Sequence, residues 1–233
     1  MDLREALRTT GSIRRFAERP VEDALVHEIL DDARFAPSGG NRQAWRVVVV
    51  RDPAVKAAVG EAYLDAWHDY VAHVLAGLIP FSPLASDADR HAAATQRAHA
   101  EAASKPDGFA ETMGLAPAML VVAADMACLA ATDRDLERYG LVGGASVYPF
   151  VWSLLLAARA RDLGGVITTV GTRNEPTLRA LLHLPETMAV AAVVVLGYPE
   201  HRHTRLSRHR VEEFATVDHF DGPPFSAGPP VAP

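Results

Sequence analysis

The sequence predicts an α+β domain in which helices layer around a single sheet. Strand-like apolar runs alternate with helix-length patterns, no segment repeats another, and no linker divides the chain before a Pro- and Gly-rich tail begins at Gly222. With 233 residues, 49% of them hydrophobic and 22% charged, the chain is long enough to bury a core without disulfide support.

The elements follow in order. Asp2 to Thr9 reads as a short helix opened by an Asp, with Gly11 as its end. Pro20 closes an extended stretch. From Glu22 to Ala36 the apolar residues Leu25, Val26, Ile29, Leu30 and Ala33 share one helical face. Pro37-Ser38-Gly39-Gly40-Asn41 then turns the chain abruptly. Trp45 to Val50 reads as a buried strand; its four consecutive valines show no alternation, as expected where both faces are covered, and Asp52-Pro53 stop it. Ala54 to Leu78 is a long helix carrying Tyr63, Trp67 and Tyr70, broken by Pro80 and Pro83.

Ser86 to Ala103 is polar and Ala-rich and is expected as an exposed or lid-like helix. Pro117 to Ala124 is a second buried strand. Val142 to Leu163 is a helix too apolar for a surface, with Pro149 in its first turns and Gly164-Gly165 as its stop. A short strand or turn over Val166 to Val170, a short helix over Glu175 to Leu182 and a third strong strand over Met188 to Leu196 complete the series.

Composition narrows the function. A formal charge of −6 argues against nucleic acid or an anionic membrane as the main partner. The longest apolar runs, Leu115 to Ala124 and Met188 to Tyr198, are too short to span a bilayer. The N-terminal stretch lacks the apolar core of a signal peptide, and Cys128 is the only cysteine, so a reducing cytoplasmic home is expected. His201, His203 and His209 cluster without the spacing of a metal site, and no metal is expected. No G-x-S-x-G elbow supplies a hydrolase nucleophile.

Four segments combine polar groups, Gly and apolar neighbours. Ser12-Ile13-Arg14-Arg15-Phe16 offers two Arg pointing to opposite sides of an extended chain. Pro37-Ser38-Gly39-Gly40-Asn41-Arg42-Gln43-Ala44-Trp45 lets backbone approach a flat ligand and adds amide donors and acceptors. Leu163-Gly164-Gly165-Val166-Ile167-Thr168-Thr169 presents main-chain groups at the end of a buried helix. Arg205-Leu206-Ser207-Arg208-His209-Arg210 gathers guanidiniums of the kind that clamp a phosphate monoester. Taken singly, each has a plainer reading: solvated basic pairs, a ligand-free loop, a Gly helix stop.

In order and spacing, the four together resemble the nitroreductase family of FMN enzymes. Its hallmarks are an early R-R-S-x-R-x-F box, a P-S-x-x-N-x-Q-P-W loop, an L-L-L-A-A-R-A-x-G-L-G helix end and a C-terminal Arg pair before P-L-E-E. Here the third reads Leu154-Leu155-Leu156-Ala157-Ala158-Arg159-Ala160-Arg161-Asp162-Leu163-Gly164, and the fourth Arg208-His209-Arg210-Val211-Glu212-Glu213. Thr10 and Gly11 stand where the family's box usually opens with Arg, Ala44 replaces a Pro and Asp162 a Gly. The match runs over residues 3–221, leaving 222–233 as a tail.

The resemblance implies a nitroreductase-like fold: a mostly antiparallel sheet flanked by helices, in an intertwined homodimer with FMN at the interface. It implies that Ser12 and Arg14, with Arg208 and Arg210, hold the ribityl phosphate, beside Thr10 and Gly11. Pro37, Ser38, Gly39 and Asn41, from the partner chain, would border the ribityl and ring, and backbone at Ile167, Thr168 and Thr169 would lie against the ring. NADH or NADPH would donate electrons by a ping-pong mechanism to a small organic acceptor such as a nitroaromatic, quinone or enone. The chemistry would be centred on the flavin, without a catalytic side chain. A flavin-binding carrier or sensor without turnover, and a specialised biosynthetic flavin step, are the alternatives.

Overall fold

The computed structural model describes residues 1–228; the last five residues of the expected tail, 229–233, lie outside them. Its middle layer is a four-stranded sheet ordered β1-β2-β4-β3, from β1 Trp45–Val50, β2 Ala118–Asp125, β3 Gly164–Thr168 and β4 Met188–Gly197. Every pairing between these strands is antiparallel. The α-helices among the described residues are α1 Leu3–Thr9, α2 Asp23–Ala33, α3 Pro53–Leu75, α4 Asp87–Thr95, α5 Arg97–Ala102, α6 Phe109–Thr112, α7 Tyr148–Ala160 and α8 Glu175–Leu181.

Strand periodicity divides the core in two. Leu120, Val122, Val194 and Leu196 point to one face and pack against α2 and α7. Met119, Val121, Val193 and Val195 point to the other, where Val59 and Tyr63 of α3, Ala110 of α6 and Leu178 of α8 cover them. These β2 and β4 side chains are at most 1% exposed, each stabilising the fold by about 1.5–3 kcal/mol relative to exposure. The unbroken apolar runs of β2 and β4 thus reflect an antiparallel sheet with helices on both faces.

β1 departs from the expected buried strand. It lies at a sheet edge, with Arg46 exposed and Val49 37% exposed. A valine run reports apolar neighbours on two faces and cannot report a missing neighbour in the plane.

Helix ends differ from expectation for local reasons. α3 stops at Leu75, five residues before Pro80, because Gly77 takes φ +72° and its N–H donates to the Val74 carbonyl. The apolar segment from Val142 is a short 3-10 turn, Val142–Ser146, before α7 begins, with Pro149 in its first turn. Asp162, at φ +62°, makes the turn after α7, so Gly164 and Gly165 open β3 instead of ending the helix. α1 ends on Thr10, not Gly11. The expected helix over Ser86–Ala103 is two, α4 and α5, the first started by a capping box between Ser86 and Asp89; Ala93 and Ala100 are buried, so it is packed and not free.

Candidate functional site

The free edge of β3 is where the N- and C-terminal parts of the chain meet. Ser12 bridges Gly165, and the Ile13 N–H donates to the Gly165 carbonyl at 2.8 Å. Further on, the Ala17 N–H donates to the Tyr198 carbonyl at 2.8 Å. A Cβ on Gly11 would stand 2.6 Å from His203 Cδ2 and 2.9 Å from Leu206 Cδ2, so glycine lets these two side chains of the C-terminal segment close directly over the first motif. Arg202 reinforces the closure by donating to the carbonyls of Asp162 and Leu163. Thr10 is nearly buried, its hydroxyl donating to the Ala6 carbonyl at 2.7 Å, and so it is engaged in ending α1.

The four motifs are unequally assembled in one chain. Arg14 has no carboxylate partner among the described residues; its guanidinium carbon lies 5.8 Å from the centre of the Phe109 ring. Arg208 and Arg210 lie past the point of closure. The first donates to the Ser207 carbonyl at 2.6 Å and the second pairs with Glu212 at 3.4 Å, and neither bonds Ser12 or Arg14 among the described residues. The expected four-group phosphate clamp is therefore not closed within this chain.

At the other end of β3, Ile167 is half-buried, Thr168 is 7% exposed and Thr169 is exposed. Thr169 leads into the 3-10 turn Val170–Asn174, where its carbonyl accepts from the Thr172 N–H and hydroxyl. Tyr63 of α3 comes up beside Thr168. Burial pushes the Tyr63 phenol above its ordinary value, against the opposing pull of the Thr168 hydroxyl and the Arg14 charge.

Pro37, Ser38, Gly39 and Asn41 lie elsewhere. The loop leads into β1, at the opposite sheet edge from β3, about 14 Å away across three strand spacings. It is pinned on the α7 side of the sheet by the Gly39 N–H donating to Ser146 Oγ at 3.0 Å, and internally by the Gln43 N–H donating to Ser38 Oγ at 3.0 Å. Gly40, Asn41 and Gln43 all have positive φ, of 59°, 51° and 49°. Two non-glycine residues held there mark a stiff, locally costly loop.

Two cavities open beside Arg14 and share it with Phe109. The larger, about 700 Å³, lies between residues 14–20 and residues 107–117. The smaller, about 320 Å³, lies between α3 and the α5–α6 segment, with Tyr63, Trp67 and Phe109 in its walls. Tyr63 and Trp67 stack with ring centres 6.2 Å apart, and Phe109 meets Tyr63 edge-on at 5.9 Å. His68 Nε2 lies 3.3 Å from Ser104 Oγ, which in turn donates to Glu111. Burial works to raise the Glu111 carboxyl, but hydrogen bonds from Ser104 and from the Lys105 N–H, with the His68 charge, outweigh it and hold the group below its usual range.

Arg97 fastens this wall. Its guanidinium reaches Asp65 at 2.6 Å, Asp69 at 2.6 Å and Glu101 at 2.7 Å, joining α5 to α3. Burial alone would depress the Arg97 pKa; the three carboxylates reverse that and raise it. The aromatic stripe of α3 is legible in the sequence, whereas Arg97, His68, Ser104, Phe109 and Glu111 carry no such signal. Arg97 and Glu101 at i,i+4 were a local hint; nothing local links either to α3.

A model of the Nitroreductase family matches residues 7–198. The chain belongs to the nitroreductase family. A protein of Thermus thermophilus called NADH dehydrogenase is 34% identical over 199 residues, covering 85% of this chain and 87% of its own. A 4-nitrobenzoate reductase of Pseudomonas putida is 27% identical over 225 residues, covering 90% and 92%. Among solved structures, an oxidised iodotyrosine deiodinase bound to FMN and 3-iodo-L-tyrosine superposes with TM-score 0.63 at 18% identity, covering 94% of this chain and all of its own, which establishes the shared fold. This nitroreductase-family chain is an oxidoreductase by its relatives, and no helix among its described residues is long and apolar enough to cross a membrane.

Proposed function

We propose that this nitroreductase-family protein is an FMN-dependent NAD(P)H oxidoreductase, passing electrons by a ping-pong mechanism to a small organic acceptor such as a nitroaromatic, quinone or enone. The observation that carries the reading is Arg14: a guanidinium without an acidic partner, two residues from a Ser12 held against the β3 edge. Among the described residues, the Ser12 hydroxyl likewise makes no protein hydrogen bond. An uncommitted Arg and hydroxyl on a fixed backbone are the donor set a phosphate monoester takes. The names of the relatives, and FMN in the deiodinase structure, point the same way.

When bound, FMN would supply the hydride- and electron-transfer chemistry. The chain's own work is to bind, orient and tune. Ser12 and Arg14 would hold the phosphate, joined by Arg208 and Arg210 on leaving Ser207 and Glu212, while Thr10 and Gly11 would shape the wall. Main chain at Ile167, Thr168 and Thr169 would border the ring, where a fixed amide is placed to stabilise negative charge.

A homodimer with two identical sites at the subunit interface would complete this arrangement. The loop of Pro37, Ser38, Gly39 and Asn41 cannot reach Arg14 in its own chain, so the partner provides it. Large exposed apolar side chains support such an interface: Phe35 is 73% exposed, Leu115 80%, Leu141 73% and Phe220 98%.

The visible spectrum of the purified protein tests the reading. A flavin spectrum bleached by NADH or NADPH, and restored by a nitroaromatic or quinone, is expected. Colourless protein that ignores added FMN overturns it.

A further inference from the structure

Two guanidiniums meet where α1, α7 and the segment after β4 come together, away from the cavities beside Arg14. Arg159, in the last turn of α7, reaches the end of α1, its Nη2 lying 3.4 Å from Thr9 Oγ1. It has no carboxylate partner among the described residues. Arg202 donates to the carbonyls of Asp162 and Leu163, and its one carboxylate neighbour is the exposed Asp162, at 3.4 Å. Burial, and then the charge of Arg159, hold the Arg202 pKa below its usual range, so the two cations stand close enough to repel.

Between them lies a cavity of about 10 Å³, walled also by Thr9, Thr10, Gly11, Ile13, Leu155 and Leu163. That is room for about one water-sized particle. Its chemistry is one-sided. No carboxylate lines it. The hydroxyls of Thr9 and Thr10 donate to the Glu5 and Ala6 carbonyls. His203, also in the wall, sets Nε2 3.3 Å from the Ser12 carbonyl; a carbonyl only accepts, so that hydrogen is spent there. What remains are guanidinium N–H groups, which only donate and are always charged. Two guanidiniums against one carboxylate leave a single positive charge in a partly buried place, which is costly unless an anion neutralises it.

We propose that this cavity binds one halide ion, held between the guanidiniums of Arg159 and Arg202. The space admits a single atom and excludes a phosphate or carboxylate group. The ion joins the end of α1, the end of α7 and the segment after β4 at one point. Ile13 lines the cavity while Ser12 and Arg14 do not, as alternation along an extended chain requires. The site therefore lies behind the face assigned to the FMN phosphate, and it stands whether or not that assignment holds.

Thermal unfolding of the full-length protein, followed by circular dichroism as sodium chloride replaces sodium gluconate at constant ionic strength, tests this, because gluconate is too large for the cavity. Arg159→Gln serves as the reference for the general effect of the two salts. Relative to it, chloride at about tenfold its dissociation constant should raise the wild-type midpoint by roughly 3–6 °C, and bromide likewise. Arg202→Gln should respond no more than the reference. Arg161→Gln, whose native guanidinium pairs with Glu28 and Asp32 of α2, should respond as the wild type does. Guanidiniums that serve only to cap helix ends would lower the midpoint equally in both salts, and that result overturns the proposal. If a variant fails to fold, wild-type crystals grown in bromide decide the matter: an anomalous peak between Arg159 and Arg202 upholds the site, and no peak there overturns it.

Discussion

The two edges of the sheet are finished in opposite ways. At β3 the chain completes its own edge: Ser12 bridges Gly165, and His203 and Leu206 close over Gly11. At β1 the outer edge receives no bridge among the described residues, and the polar loop before it is held by Ser146 and by itself. One motif set is thus self-assembled, while the other is a rigid part presented outward. The contrast is between an edge finished by distant segments of the same chain and a stiff loop, with positive φ at Gly40, Asn41 and Gln43, held by Ser146 and by its own hydrogen bonds.

The largest effect should come from crowding the β3 edge. A Cβ on Gly165 would overlap the Val195 carbonyl oxygen and the Leu196 side chain. Gly165→Val should lower the unfolding free energy by about 3 kcal/mol, read from urea denaturation. Gly39→Ala at the other edge meets only Ser146 Oγ at 3.5 Å and should change it by less than about 0.5 kcal/mol. Equal losses would erase the distinction between the edges.

Next in size is cofactor binding. Arg14→Ala should weaken FMN by about 1.5–3 kcal/mol with folding intact, measured by fluorescence titration. Gly39→Trp should block the loop's side of the same site. Mixed dimers of these two variants would then hold one wild-type site and one doubly damaged site, binding FMN at half stoichiometry; none at all would refute the shared interface.

A smaller effect concerns the α5 wall. Its pairs are partly exposed, so Arg97→Ala should cost about 1 kcal/mol. The Asp65 carboxyl is held below its usual range, first by Arg97 and then by Asn174. A carboxyl depressed in the folded state stabilises above its unfolded value and loses that contribution as pH falls through the folded one. The advantage of wild type over Arg97→Ala should therefore shrink below about pH 4; an advantage that grows on acidification would contradict the pairing. Least of all, Arg15→Ala breaks an exposed 3.5 Å pair with Asp107 and should move the thermal midpoint by no more than a degree or so, consistent with about 0.5 kcal/mol or less.

Much of the fold was legible because its signals are local. The apolar runs of β2 and β4 fell within a residue or two of their ends, and α8 likewise, since periodicity and turn residues act over a few positions. α3 ends short of the expected Leu78 because Gly77, in the left-handed region, stops the helix before Pro80 and Pro83 are reached. α6 was missed because four residues carry no period. The motifs around Ser12, Ser38, Gly165 and Arg208 were visible as residue types, whereas the cavity wall was not, because Arg97 is joined to Asp65 across 32 positions.

Sequence by itself determined which stretches become strands and helices, and which short motifs carry polar groups beside glycine. Tertiary structure alone decided that β1 is an edge, that Ser12 lies against Gly165 while Ser38 does not, and that α5 stands over Tyr63 and Trp67. The physical reason is range: backbone propensity and side-chain period are set by neighbours in the chain, but strand order and cavity walls are set by which distant apolar faces bury one another.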